Sequence, residues 1–173
     1  MQAHGYHGVS YAAIAAQVGI RTASVFHHVP TKEDLARAAV ACYRGTLRAG
    51  LTAIDDTGDD PRVKLECYAG FYRGLPQRRG HMCLGELLVV EATTLPGPVR
   101  AEARASFTAR EAWLGEVLAA GRAAGLLRVG EPLAAALVVA GIEGALLVAH
   151  AHDDDAHVDA VVARLLSTFH ISG

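Results

Sequence analysis

Apolar positions recur with helical spacing along almost the whole of this 173-residue chain. Tyr11, Ile14, Ala15 and Val18 fall at i, i+3, i+4 and i+7, which predicts a short helix started by Ser10 and ended by Gly19. A second short helix, from about Thr22 to His28, must stop before Pro30, because the residue preceding a proline is driven out of the helical region. Thr31 and Asp34 form a capping signal ahead of Leu35, Ala39, Cys42, Leu47, Leu51 and Ile54, a stripe long enough for about six turns. Further helices are predicted from Pro61 with Leu65, Tyr68, Tyr72 and Leu75 on one face, around Leu84, Leu87 and Leu88, and from Pro98 through Phe107, Leu114, Val117 and Leu118. Pro132 opens an apolar helix, and Val158, Val161, Val162, Leu165, Leu166 and Phe169 form the last seam. No segment alternates with period two, so the chain is read as all-α.

The expected linkers are short: the acidic Asp55 to Asp60 stretch, the Gln77 to Gly80 turn, Leu95 to Pro98, Arg128 to Glu131 and Asp153 to Asp155. The apolar stretch Pro132 to Ala149 is long enough to be questioned as a membrane span, but Glu143 interrupts it and it has no basic flank. It reads as a buried or interfacial helix of a soluble protein.

Composition narrows the class. With 51% hydrophobic and 20% charged residues the chain has ample apolar surface to bury, which excludes a disordered protein. Aromatic residues make up only 6%, so the core is built from small and aliphatic side chains at close spacing, as helix packing allows. The cysteines, Cys42, Cys67 and Cys83, are odd in number and no secretory pattern precedes them, so no disulfide framework is expected and the expected compartment is the cytoplasm. Charge is uneven: five Lys/Arg stand against Glu33 and Asp34 up to Arg48, whereas acidic residues dominate thereafter.

Catalytic patterns are missing: no glycine-rich phosphate loop, no Gly-x-Ser-x-Gly and no Cys-x-x-Cys, so no enzyme, cofactor or catalytic residue is expected. The run His150 to His157 holds metal-capable side chains, but it straddles the end of one helix and the start of the next in no established ligand spacing. It reads as a solvated loop with no metal.

The stretch Ser10 to Lys32, helix, glycine turn and second short helix, is a helix-turn-helix arrangement. Ile14 and Val18 are expected to pack under the second helix and Val25 and Val29 to face inward, leaving the outer side chains to enter a major groove about 12 Å wide. The candidate DNA-contacting residues are Ser10, Arg21, Thr22, Ala23, Ser24, His27, His28 and Lys32, with Lys32 suited to a phosphate.

At these residues the sequence resembles the TetR family of bacterial transcriptional repressors. The pattern is Gly5-Tyr6-His7-Gly8, Ile14-Ala15-Ala16 with Val18-Gly19-Ile20, Val25-Phe26-His27-His28-Val29 and Thr31-Lys32-Glu33-Asp34-Leu35. Looser similarities follow in Cys83-Leu84-Gly85-Glu86-Leu87, Glu91, Leu95-Pro96 and Ala123-Ala124-Gly125-Leu126-Leu127. The resemblance implies a DNA-binding domain over residues 1–35 and a ligand-binding and dimerisation domain over 36–173. It also implies a homodimer through the last two helices, residues 132–171, and an inducer pocket among the central helices. Three departures are visible: the family's first helix would precede Gly5 and is expected to be cut short here, Arg21-Thr22 replaces a Ser-Lys pair, and His27 stands where tyrosine is common.

The candidate ligand-binding residues are Tyr68, Phe71, Tyr72, Met82, Leu87, Phe107, Trp113 and Leu114, with Cys83, Glu86 and Glu143 as polar groups. Such residues serve as core, as pocket lining, or as both. No cluster of Arg or Lys falls among them to offset a buried phosphate, which favours an uncharged or weakly cationic ligand. The expected function is a repressor released from double-stranded operator DNA by a small hydrophobic inducer. The alternative is a helical ligand-binding module that has lost DNA binding.

Overall fold

The computed structural model describes residues 5–73, 84–128, 133–152 and 154–169, with the side chains of 73, 86 and 155 left aside. Met82, Cys83, the Gln77 to Gly80 turn and Pro132 lie outside the described residues, and so does the side chain of Glu86. Eight helices follow one another among them: α1 (Tyr11–Val18), α2 (Thr22–His28), α3 (Lys32–Asp55), α4 (Pro61–Arg73), α5 (Leu84–Val90), α6 (Gly97–Ala123), α7 (Ala134–His152) and α8 (Asp155–Ser167). The described residues contain no strand, and the protein is all-α.

The helix ends obey local chemistry. Ser10 Oγ accepts the Ala13 N–H at the start of α1, and Gly19 closes it in the left-handed conformation at φ 75°, its N–H on the Ala15 carbonyl. Arg21 precedes α2 without any side-chain cap. The Asp34 N–H donates to Thr31 Oγ1 at 3.0 Å while the Thr31 hydroxyl donates to Asp34 Oδ2 at 2.6 Å, which fixes the start of α3. Asp60 caps α4 by accepting the Arg62 N–H, leaving Pro61 as the first helical residue. Asp154 accepts the Ala156 N–H at the start of α8. Residues 150–152 therefore end α7 and residues 155–157 begin α8, so most of the run expected as a loop is helical, because a single capping aspartate suffices to restart the helix.

The chain divides into two compact units. The first takes its described residues from 1–46 and 80–106, and its core is Tyr6, Ala36, Val40, Leu84, Leu88, Leu95, Val99 and Ala103, with Tyr43 packed against it. The second takes its described residues from 47–79 and 107–173, and there α7 packs on α8, with α4 also on α8. The approach of α7 to α8 is close: a Cβ on Gly141 would lie 2.7 Å from Leu165 Cδ2. One face of α7 is buried through Ala134, Val138, Val139, Ile142, Ala145, Leu146 and Ala149, whereas Leu133, Leu137, Leu147 and Val148 on the other side of this segment are exposed.

Candidate DNA interface and buried polar cluster

Within the first unit α1 crosses α2 with Ala15 and Val25 buried, so the small Ala15 lets the two backbones approach. Ile14 and Val29 are half-buried, but Val18, expected to pack under α2, is 63% exposed. Two short helices that cross bury only what lies at the crossing, and Val18 sits a turn beyond it at the end of α1. Phe26 is also exposed, yet its ring stacks on Tyr11 at 4.1 Å between centroids.

The outer side of α2 presents Arg21, Thr22, Ala23, His27 and His28 to solvent, with Ser24 half-buried. Ser10, also exposed, has its hydroxyl oxygen committed to the Ala13 N–H. Lys32 is half-buried: its Nζ donates to the His7 carbonyl at 2.8 Å and lies 5.2 Å from the Tyr6 ring centroid. An ammonium has three donors, so this contact ties Lys32 to the turn at residues 5–8 and still leaves N–H groups for a phosphate.

That turn is also held from the end of α5. Glu91 Oε2 accepts the Tyr6 N–H at 2.6 Å, and His7 Nε2 lies 2.9 Å from Thr94 Oγ1. Gly5 adopts φ 66°, and a Cβ there would run into the Glu91 carboxylate. Glycine is required at this position twice over, by the backbone angle and by the close approach.

The second unit holds a buried polar cluster. Arg110, on α6, is 1% exposed, and its Nη1 donates to the Tyr72 hydroxyl at 2.6 Å and to Glu143 Oε1 on α7. The Phe107 ring covers one side of the guanidinium at 4.3 Å, and Tyr68 packs against Tyr72 at 5.1 Å. Burial works to lower the Arg110 pKa, but Tyr72, Glu143 and Tyr68 around it prevail and raise it above its usual value. Burial pushes the Tyr68 phenol up in the same surroundings.

Tyr68 also stacks on Trp113 at 5.6 Å, and the Trp113 indole N–H donates to Asp55 Oδ2 at 3.0 Å. Lys64 bonds the other oxygen of Asp55 at 2.8 Å. These two donors, Lys64 before Trp113, hold the Asp55 carboxyl below its usual range. Beside them opens a cleft of about 210 Å³ lined by Asp55, Asp59, Pro61, Lys64, Trp113, Glu116, Val117 and Ala120.

The candidate ligand residues thus separate. Tyr68, Tyr72, Phe107 and Glu143 come together around Arg110, and Trp113 joins them through the Tyr68 ring; Phe71 meets Tyr72 edge-on at 5.4 Å, and Leu114 is wholly buried core. Leu87 belongs to the first unit. A single arginine, Arg110, stands among these residues, with its charge met by Glu143.

Comparison with known proteins decides the family. A profile of bacterial regulatory proteins, tetR family, matches residues 1–39. A TetR-family transcriptional regulator from Agrobacterium tumefaciens is 36% identical, the match covering 96% of this chain and 90% of that one with a TM-score of 0.91. The chain belongs to the TetR family. A TetR transcriptional regulator from Legionella pneumophila is similar at 25% identity, with 97% and 90% of the two chains covered and a TM-score of 0.86. The regulatory protein TetR from Rhodobacter sphaeroides shares the fold at 20% identity, 97% and 92% coverage and a TM-score of 0.87. Among curated proteins no match was found.

This TetR-family chain is a DNA-binding transcriptional regulator, with the helix-turn-helix head followed by a helical domain. Helix α7 is apolar and long enough to cross a membrane, with a mean hydropathy of 1.9, but in a TetR-family regulator that does not indicate a membrane protein. The sequence reading missed Arg110, and it met Glu91 only as part of a loose family similarity, without its contact to Tyr6. A signal for Arg110 was present: it interrupts the apolar stripe Phe107, Leu114, Val117, Leu118 at a core register, where an unpaired charge is too costly to bury. The Glu91 contact had none, because its partner is a backbone N–H far away in sequence.

Proposed function

We propose that the protein is a cytoplasmic, homodimeric repressor released from its operator by a small hydrophobic ligand. DNA contacts lie within residues 1–35, among Ser10, Arg21, Thr22, Ala23, Ser24, His27, His28 and Lys32, and residues 36–173 sense ligand and dimerise. The observation that carries the reading is the exposed polar outer side of α2 over a buried Val25, in the same chain as an aromatic cluster buried around a charged pair. The exposed apolar side chains Leu133, Leu137, Leu147 and Val148 of α7 and the residue before it support dimerisation through residues 132–171, since a patch of this kind on a helix marks an interface.

Repression and release then form one linked equilibrium. DNA favours a dimer whose recognition helices are spaced by roughly 34–36 Å, one turn of duplex, and the ligand favours a state in which they are not. Ligand weakens DNA binding by the same factor that DNA weakens ligand binding. An electrophoretic shift on the DNA flanking the protein's own gene tests the reading. A specific shift that hydrophobic small molecules reverse supports it, and no shift with any flanking fragment refutes it.

A further inference from the structure

The buried cluster of the second unit has more hydrogen-bonding capacity than its own side chains use. Arg110 Nη1 serves both Tyr72 and Glu143, yet Arg110 Nε, Arg110 Nη2, Glu143 Oε2 and the Tyr68 hydroxyl are all buried without a hydrogen-bond partner. Leaving that many polar atoms unsatisfied in an interior is costly, and such groups in native proteins are satisfied by something. Nε and Nη2 lie on one edge of the guanidinium, where two N–H groups point side by side at a planar acceptor. The unused acceptor, Glu143 Oε2, belongs to the carboxylate already joined to the same arginine.

We propose that Arg110, Glu143 and Tyr68 form the polar end of the ligand site and take an uncharged small molecule that carries a carbonyl-type acceptor beside an N–H or O–H donor. The acceptor meets the free Arg110 edge, the donor meets Glu143 Oε2, and the apolar body lies among the rings of Tyr68 and Phe107. The charges of Arg110 and Glu143 already cancel, so a third buried charge would be desolvated without a counter-ion, which excludes a carboxylate or phosphate as the preferred head. The inference rests on the ligand-release reading above for its biological role, but not for its test.

The test uses the whole protein without DNA and three probes: benzamide, which has the acceptor and donor side by side, benzoate, which has the charge, and toluene, which has neither. Ligand-observed NMR gives the affinities, and the Arg Nε–H signals of the labelled protein report contact at Arg110. Benzamide is expected to shift a buried Arg Nε–H signal and to bind more tightly than benzoate. The double variant R110M/E143L removes both charges at once, and it should weaken benzamide by about tenfold while leaving toluene unweakened. Should that variant fail to fold, E143Q and the wild-type Arg110 signal carry the test: benzamide loses several-fold in E143Q, and the signal moves in the wild type. Benzamide binding that leaves the arginine signals still, equal benzamide affinity in wild type and variants, or tighter binding of benzoate would overturn the proposal. Benzamide that engages Arg110 without loosening operator DNA would support the site and refute the ligand-release reading.

Discussion

The carboxylate of Glu91, just after α5, accepts the backbone N–H of Tyr6 at 2.6 Å, 85 positions earlier in the chain. The DNA-binding head is therefore fastened at its first turn by a residue from far beyond it in the sequence. A hydrogen bond to a charged acceptor is worth about 1.5–3 kcal/mol. Glu91→Ala should lower the thermal midpoint accordingly and weaken operator binding, because the turn at residues 5–8 also receives Lys32. Gly5→Ala should do the same through a different cause, the strain at φ 66° and the displaced carboxylate. Thermal unfolding beside operator titration checks both, and unaltered melting of Glu91→Ala would contradict the role.

Lys32 and Arg21 are expected to fail differently. Arg21→Ala should relax sequence preference, with about 1–3 kcal/mol at stake for a good base contact. Lys32→Ala should weaken all DNA sequences alike and reduce the salt slope by about one unit for each phosphate it no longer neutralises. It should also lower thermal stability, since Nζ holds the His7 carbonyl. Binding isotherms over a range of salt concentrations separate the two residues.

Acid should uncover the Asp60 cap. Side-chain and backbone hydrogen bonds from Arg62 hold its carboxyl down at about 2. The folded-state value lies below that of the unfolded chain, about 4, so the ionised form favours folding; the contribution is complete above about pH 4 and is lost as pH falls towards about 2. The melting difference between wild type and Asp60→Ala should be constant from neutral pH to about 5 and close on acidification below about 4. A gap that persists in full at the acid end would show that ionisation is not its source.

Trp113 is the sole tryptophan, and it stands between the Tyr68 ring and Asp55. Trp113→Phe keeps the stack and loses the indole N–H, so a small loss of stability, at most about 1 kcal/mol, is expected with operator affinity unchanged. Trp113→Ala should raise the ligand concentration needed for release. If it instead abolishes DNA binding or unfolds the protein, Trp113 is core alone.

Leu137 is 51% exposed on the apolar outer side of α7. Leu137→Glu should convert the expected dimer to monomer in sedimentation at micromolar concentration and abolish tight operator binding with it. A wild-type chain that sediments as a monomer would remove the dimer from the proposal.

Much of this protein was legible along the chain because its signals are local. Ser10, Gly19, Thr31, Asp34 and Asp60 act within a few residues of themselves, so the start and stop of α1 and the starts of α3 and α4 follow from sequence, and the spacing of the head's motif pointed to the family. Periodicity also separates apolar from polar sides of a helix, but it does not say which apolar side meets a neighbour. Val18 carries the right spacing and is exposed, while α7, apolar nearly all round, buries one side and bares the other. Only the tertiary structure decided that Arg110 meets Glu143 and that Glu91 meets Tyr6, because those pairings lie 33 and 85 positions apart and depend on how helices approach in space. A charge in a core register announces that it must find a partner; which partner it finds, and how many of its donors are left over, is settled by packing.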